Sequence, residues 1–383
     1  MAIRTVRKVT IHVLLSVLIC LLVGCSPNKV KVGSDAHKSA TESQGALGFP
    51  ELYLDSQAWS ITEDQEYIYF AKENGIYRVS KSKRVMQLLY KTKNSSNLII
   101  VNGQMYFISS GKICRINLDG KGFHVLFDSK GRKTETGDMY LNDFQVADDY
   151  FVLRSGLDLF YYDLSNNSLR SLHDKSGFVI DANQYQVVDN YVYYIDHADR
   201  TGTLYRYDLA KDTTEIIRGK SITMPEDNQI GDFTFVNGDI FYCKYNPNEI
   251  CHYNSKGADT VMCDYSGTPY VVASLAEYRG KLFYLVFTQS IVYDGGPMGS
   301  IKDYRRAQHR IENLGLKQYS LIQFDLANNQ TLVVGQFSSL MEPARLQFAD
   351  GYVFFKTERF KSRTTDETTD ETHCIDLSSG EMR

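Results

Sequence analysis

The sequence predicts an all-β fold, and three observations carry that expectation. Apolar and polar residues alternate over short runs rich in tyrosine, as in "VDNYVYYIDHADRTGTLYRYDL" (188–209), where rings fall at Tyr191, Tyr193, Tyr194, Tyr205 and Tyr207. A period of two is the signature of strands, not of helices. Two-residue turns of the Asn-Gly, Asp-Gly or Arg-Gly kind separate paired apolar runs, and such turns match the twist of a β-hairpin. Finally, the whole pattern returns along the chain.

The hairpins align as "IIVNGQMYFIS", "QVADDYFVLRS", "QVVDNYVYYID", "TFVNGDIFYCK", "AEYRGKLFYLV" and "QFADGYVFFKT", with "ITEDQEYIYFA" a degenerate member at the start. After each comes a third apolar run that ends in Ser80, Asn117, Asp163, Asp208, Asn254, Asp325 or Asp376, at successive separations of 37, 46, 45, 46, 71 and 51 residues. A fourth run usually follows, as in "VMQLLY" or "TLVV". Four strands repeated at this interval define a β-propeller. The expected count is seven four-stranded blades, with eight as the alternative. The last repeat barely begins its fourth strand at "SSGEMR", whereas "FPELYL" (49–54) is a strand without a hairpin, so an N-terminal strand is expected to close the ring. Blades stack face to face and bury both sides of their inner strands. Tyrosine suits this arrangement because its ring packs between blades while its hydroxyl reaches solvent or a backbone carbonyl.

The N-terminus reads as an address. Arg4, Arg7 and Lys8 precede an apolar run that ends in Leu22-Val23-Gly24-Cys25, the pattern of a lipoprotein signal (1–24) with Cys25 as the lipid-bearing residue. Residues 25–48 are rich in Ser, Lys, Gly and Thr and read as a flexible tether; the propeller is expected over 49–383. Removal of the signal takes three positive charges, so the formal charge of −4 becomes −7. That balance, without a basic stripe, excludes nucleic acid as the expected partner. Cys114, Cys243, Cys251, Cys263 and Cys374 form no C-x-x-C, so buried thiols are expected, with one local bridge among Cys243, Cys251 and Cys263 as the alternative.

The segments "YIYFAKENGIYRVS" (67–80) and "VYYIDHADRTGTLYRYDL" (192–209) resemble the tyrosine-rich propellers of the YWTD type, and more closely the bacterial lipoproteins that carry such repeats as a domain of unassigned function. The resemblance runs from Trp59 to the C-terminus and implies an extracytoplasmic propeller. It departs in one respect: Trp59 is the sole tryptophan, so no repeat holds a literal Tyr-Trp-Thr-Asp, and receptor-type ligand residues do not carry over.

No H-E-x-x-H, G-x-S-x-G, Walker or calcium-loop motif occurs, so the sequence names no catalytic residue, and no cofactor or metal is expected. The long interval instead locates an insertion at 288–317, "TQSIVYDGGPMGSIKDYRRAQHRIENLGLK", between the second and third strands of the sixth repeat. Within it "IKDYRRAQHRIENL" has the spacing of a short amphipathic helix. The acidic stretch "RTTDETTDET" (363–372) occupies the matching place in the next repeat, where it reads as a solvated hairpin tip. Connections of that type leave a propeller on one face, and loops on a rigid scaffold are where recognition concentrates. The candidate binding lip is therefore Tyr293, Lys302, Tyr304, Arg305, Arg306 and Arg310, opposed by Asp366, Glu367, Asp370 and Glu371. The expected function is a lipid-anchored module that binds a protein, peptide or glycan at the cell envelope. The alternative is an envelope glycan or peptide hydrolase or lyase with its site at the channel mouth.

Overall fold

The computed structural model describes residues 60–147, 149–196, 202–218, 229–245, 248–254, 256–268, 270–288, 317–339, 343, 346–360, 368–380 and 382, without the side chains of 183, 288, 338, 358–360 and 368–370. The expected signal, Cys25, the tether and the closing strand at 49–54 lie outside these residues. Every regular element among them is a strand. Seven antiparallel sheets follow one another in chain order, and a small hairpin, Lys133–Thr134 with Gly137–Asp138, lies between the second and third.

The first blade shows the plan: strand A is Ser60–Glu63, strand B Tyr67–Lys72, strand C Gly75–Ser80 and strand D Met86–Lys91, each paired to the next. The remaining blades cover 95–128, 141–171, 182–218, 230–264, 270–339 and 347–376. The seventh has strands A to C at Gln347–Ala349, Tyr352–Phe360 and Thr368–Asp376, and its fourth position is met by a single bridge from Met382 to Ile375. A strands touch the A strands of neighbouring blades, whereas D strands such as Met86–Lys91 and Asp259–Asp264 are largely exposed. The A strands therefore line the axis.

Alternation along strand B holds the ring together. In Tyr67–Lys72, Ile68 and Phe70 join a buried cluster with Ala349, Phe354 and Cys374 of blade 7, while Tyr69 and Ala71 join one with Met105 and Phe107 of blade 2. The same division recurs at every junction, and the seven clusters match seven interfaces. Because one of these joins blade 7 to blade 1, the ring closes at seven blades and not eight. Each buried ring contributes on the order of 1.5–3 kcal/mol, so repetition supplies the stability. Two of the buried tyrosine hydroxyls are tied to carboxylates as well: Tyr69 donates to Asp64 (2.7 Å) and Tyr242 to Asp259 (2.7 Å). Burial and these anionic acceptors push both phenols well above the usual range.

Two local rules of the sequence acquire a cause. At Asn102-Gly103, Asn237-Gly238, Arg279-Gly280 and Asp350-Gly351 both turn residues have positive φ, the geometry that a two-residue hairpin needs. The residue that ends strand C caps the turn after it: Oδ1 of Asp163, Asp208, Asp325 and Asp376 accepts the backbone N–H two residues on, at 2.7, 3.0, 2.9 and 2.8 Å. An Asx turn of this kind explains why Asp or Asn recurs there. Cys114, Cys243, Cys251, Cys263 and Cys374 form no disulfide. Alternation sends Cys243 towards blade 6 and Cys251 towards blade 4, so those two cannot bridge.

Candidate functional site

The axis is where inner strands from all blades meet, and its lining is set by β-bulges. In strand A of blades 2 to 6 the register slips between Ser96 and Ile99, Leu141 and Asp143, Ala182 and Gln184, Ile230 and Asp232, and Ala273 and Ala276. A bulge re-aims side chains, and here the re-aimed groups staple neighbouring blades. Asn97 Nδ2 donates to Asp143 Oδ1 (2.6 Å), and Gln145 accepts from Val187 N (2.7 Å) while donating to Tyr185 O (2.9 Å). Gln184 donates to Phe233 O (2.7 Å) and accepts from Phe233 N (3.2 Å); Asp232 Oδ2 accepts from Leu275 N (2.6 Å). Sequence reading missed these staples, since an isolated Gln or Asp in a strand carries no visible partner.

The channel is divided into a cavity of about 640 Å³ towards blades 3 to 6 and one of about 280 Å³ towards blades 1, 2 and 7, which share Asp143, Glu277 and Leu346. The larger volume is in the range of ligand sites. Its charged lining is Asp143, Asp232 and Glu277 against Arg154, three carboxylates to one guanidinium. Each of these carboxylates already accepts a hydrogen bond from a protein donor, Glu277 from Gly280 N at 2.7 Å. No histidine or cysteine lines either cavity among the described residues, and no trio of His, Cys, Asp or Glu there converges as a metal site.

The two ends of the channel differ. On the end that carries the B–C and D–A connections, Tyr245 closes strand B of blade 5 and Tyr270 opens strand A of blade 6. Asn248, paired with Tyr245 across the hairpin, donates its amide to the carbonyl of Tyr270 and accepts from Val272 N (3.2 Å). Both residues are nonetheless 46% and 44% exposed, whereas the strand tyrosines Tyr242 and Tyr284 are 1% and 0% exposed. Tyr245 lies over Gly231, a channel-lining residue where a Cβ would overlap the ring. In the sequence the only hint was a proline beside each ring, in "YNP" and "PY".

On the opposite end, a pocket of about 470 Å³ sits where blades 6, 7 and 1 meet. Glu63 is its hub. It pairs with Lys81 (2.7 Å) and Arg279 (3.0 Å) and accepts from Tyr278 Oη (2.9 Å) and Asp350 N (2.8 Å). Arg84 pairs with Asp350 at 2.7 Å. Burial pushes the Glu63 carboxyl up, but donation from Lys81, Asp350 N and Tyr278 outweighs it and holds the group below the usual glutamate range. Burial and the neighbouring Glu63 push the Tyr278 phenol up to about 12, although Gly351 N donates to it.

Of the residues expected to form a lip, Tyr293, Lys302, Tyr304, Arg305, Arg306 and Arg310 lie in 289–316, and Asp366 and Glu367 in 361–367, outside the described residues. The flanking strands, Lys281–Thr288 with Lys317–Asp325 and Tyr352–Phe360 with Thr368–Asp376, place both connections at the same end of adjacent blades. The expected hairpin tip over 363–372 is shorter than its sequence suggested. Pairing of Asp370 with Glu358 and Glu371 with Thr357 extends the ladder to Thr368, because a threonine-rich stretch suits a strand. Glu371 stands 3.6 Å from His373 Nε2 on that strand.

No protein-family model matches the sequence, and neither does any curated protein. Solved structures share the fold alone. Virginiamycin B lyase from Staphylococcus aureus is 12% identical over 79% of this chain and 92% of its own, with a TM-score of 0.45. Oligogalacturonate lyase in complex with manganese is 11% identical over 73% of each chain (TM-score 0.41), and Kluyveromyces lactis Hsv2 is 8% identical over 82% of this chain and 96% of its own (TM-score 0.43).

Proposed function

We propose that this chain is a lipid-anchored, extracytoplasmic propeller that binds a protein, peptide or glycan at the cell envelope. The observation that carries the reading is how the channel spends its polar groups. Asp143, Asp232, Gln145 and Gln184 are engaged in fastening blade to blade, which favours a rigid scaffold over an acid–base site. Recognition then belongs to the end with long connections, where the insertion at 289–316 leaves the sheet. The signal-like N-terminus and Cys25 support the address, and the YWTD-like repeats support the type of propeller.

Two experiments test this reading. Cys25→Ser should move the protein from the membrane fraction to the soluble one; retention of both forms in the membrane would refute the lipid anchor. Reversing Arg305, Arg306 and Arg310 to Glu should abolish capture of a partner from solubilised envelope while changing stability by less than about 1 kcal/mol. A large fall in melting temperature with capture intact would make the insertion a structural clasp.

A further inference from the structure

We infer that the end of the propeller bearing the B–C and D–A connections docks on the bilayer surface, with Tyr140 and Phe178 as its aromatic contacts to lipid carrying anionic headgroups. This inference rests on the lipid-anchor reading and adds the face that the anchored molecule turns to the membrane. The insertion at 289–316 leaves from the same end, so the partner is met close to the headgroups.

The two rings are the first ground. Phe178 (72% exposed) and Tyr140 (71%) are the most exposed large apolar residues among those described, and both ride on connections pinned to one turn. Tyr140 N donates to Ser155 Oγ (2.9 Å), Thr136 Oγ1 to Asp158 Oδ2 (3.0 Å) and Leu159 N to Ile180 O (3.0 Å). The connections on either side of blade 3 are thus both fastened to its B–C turn. Phe178 closes a tight loop in which Asp174 Oδ1 accepts from Ser176 N (2.8 Å) and Phe178 N (2.9 Å), while Asp174 N donates to Phe178 O (2.8 Å). These connections bury Met139, Leu172 and Ile180 and leave the two rings outside. Aromatic rings on fixed backbone suit the boundary between headgroups and acyl chains, where one part of the side chain is apolar surroundings and the other is wet.

Charge supplies the second ground. Acids beside the rings are answered within the protein: Asp138 pairs with Lys133, Asp128 with Lys112 (2.5 Å), and Glu135 lies 3.2 Å from His173 Nε2. Lys91, Lys93, Lys130 and Lys175 stand exposed on connections of this same end, where an anionic surface attracts them. The opposite end carries the turn-capping Asp163, Asp208, Asp325 and Asp376, which such a surface repels. A flexible tether over 25–48 reaches about 27 Å, more than the height of about 20 Å of a six-residue strand. The tether therefore allows either end to meet the bilayer, and rings and charges choose.

The test is fluorescence of the full, acylated chain reconstituted in vesicles of phosphatidylethanolamine and phosphatidylglycerol, with brominated lipids as quenchers. In a Trp59→Phe background the single tryptophan is supplied by Tyr140→Trp, by Phe178→Trp or, on the opposite end, by Ala210→Trp. Should that background melt low, the signal is read as the increment over the parent's own emission. The probes at 140 and 178 should shift to the blue and be quenched, and the probe at 210 should not. Adding Tyr140→Ala to Phe178→Trp should lower the docked-to-undocked ratio about tenfold, the scale of one buried ring, at unchanged melting temperature. Replacing phosphatidylglycerol by phosphatidylcholine should lower it too. Equal quenching at 178 and 210, equal docking on both lipid mixtures, or failure of the chain to enter vesicles would overturn the inference, the last refuting the lipid anchor with it. Unquenched probes at 140 and 178, with envelope capture lost in Tyr140→Ala/Phe178→Ala, would assign the rings to a protein partner and likewise overturn it. Envelope capture sensitive to Arg305, Arg306 and Arg310 leaves the binding-module reading standing in each of these cases.

Discussion

The junction of blades 6, 7 and 1 and the rim of blades 5 and 6 use the same residue types to opposite ends. At the junction Tyr278 stacks on Phe348 (5.1 Å, 19°), and its hydroxyl donates to Glu63 and accepts from Gly351 N. Ring face and polar tip are both spent inside the protein. At the rim Tyr245 and Tyr270 sit on equally fixed backbone, yet nearly half of each residue faces solvent. The difference teaches that position within the blade divides a repeated residue type: Tyr278 at the blade junction spends ring and hydroxyl on closing the ring, whereas Tyr245 and Tyr270 at the end of the B–C and D–A connections stay half open to solvent.

The comparison breaks most sharply at the closing cluster. Phe70, fully buried against Tyr77 and Phe354, should cost about 3–5 kcal/mol as Phe70→Ala, read by urea unfolding. Glu63→Gln should cost about 1–3 kcal/mol by unbalancing Lys81 and Arg279. Its pH dependence has a definite sign. The folded carboxyl lies below its ordinary value of about 4.3, so its contribution is complete above that pH and is lost as pH falls through the lowered folded value. Acid titration of stability should therefore be shallower in Glu63→Gln than in the parent. A smaller effect concerns the thiols. Cys114, pushed up to about 11 by burial with Asp128 adding to it against Lys112, and the buried Cys243, Cys251 and Cys374 should resist alkylation at pH 8 until the chain unfolds. Half-buried Cys263 should react first, as peptide mapping would show. Smallest of all, Tyr245→Ala and Tyr270→Ala should each shift stability by no more than about 0.5 kcal/mol.

Much of the fold was legible because the cues are local. Alternation in "YIYFAK" assigns Ile68 and Phe70 to one interface and Tyr69 and Ala71 to the other, and Asn237-Gly238 dictates its turn. Hidden from the sequence were features made by meeting strands. Glu63 reads as one acid in "SITE" until the ring brings Arg279 and Asp350 to it across more than 200 residues. Gln184 shows its purpose only beside Phe233. The rim was illegible for a related reason: Tyr245 and Tyr242 look alike in sequence, and only the end of the blade separates the exposed ring from the buried one. Charge drew the sequence reading to the insertion instead, because a dense basic run stands out where two tyrosines among many do not.

The most direct measurement sets Glu63→Gln beside the triple variant Arg305→Glu/Arg306→Glu/Arg310→Glu, with melting temperature and capture of a partner from solubilised envelope recorded on the same samples. The account predicts a crossed result: the first variant melts lower and still captures the partner, while the second melts as the parent does and captures nothing. An insertion variant that melts lower and captures normally would contradict it, because the insertion would then be a structural clasp.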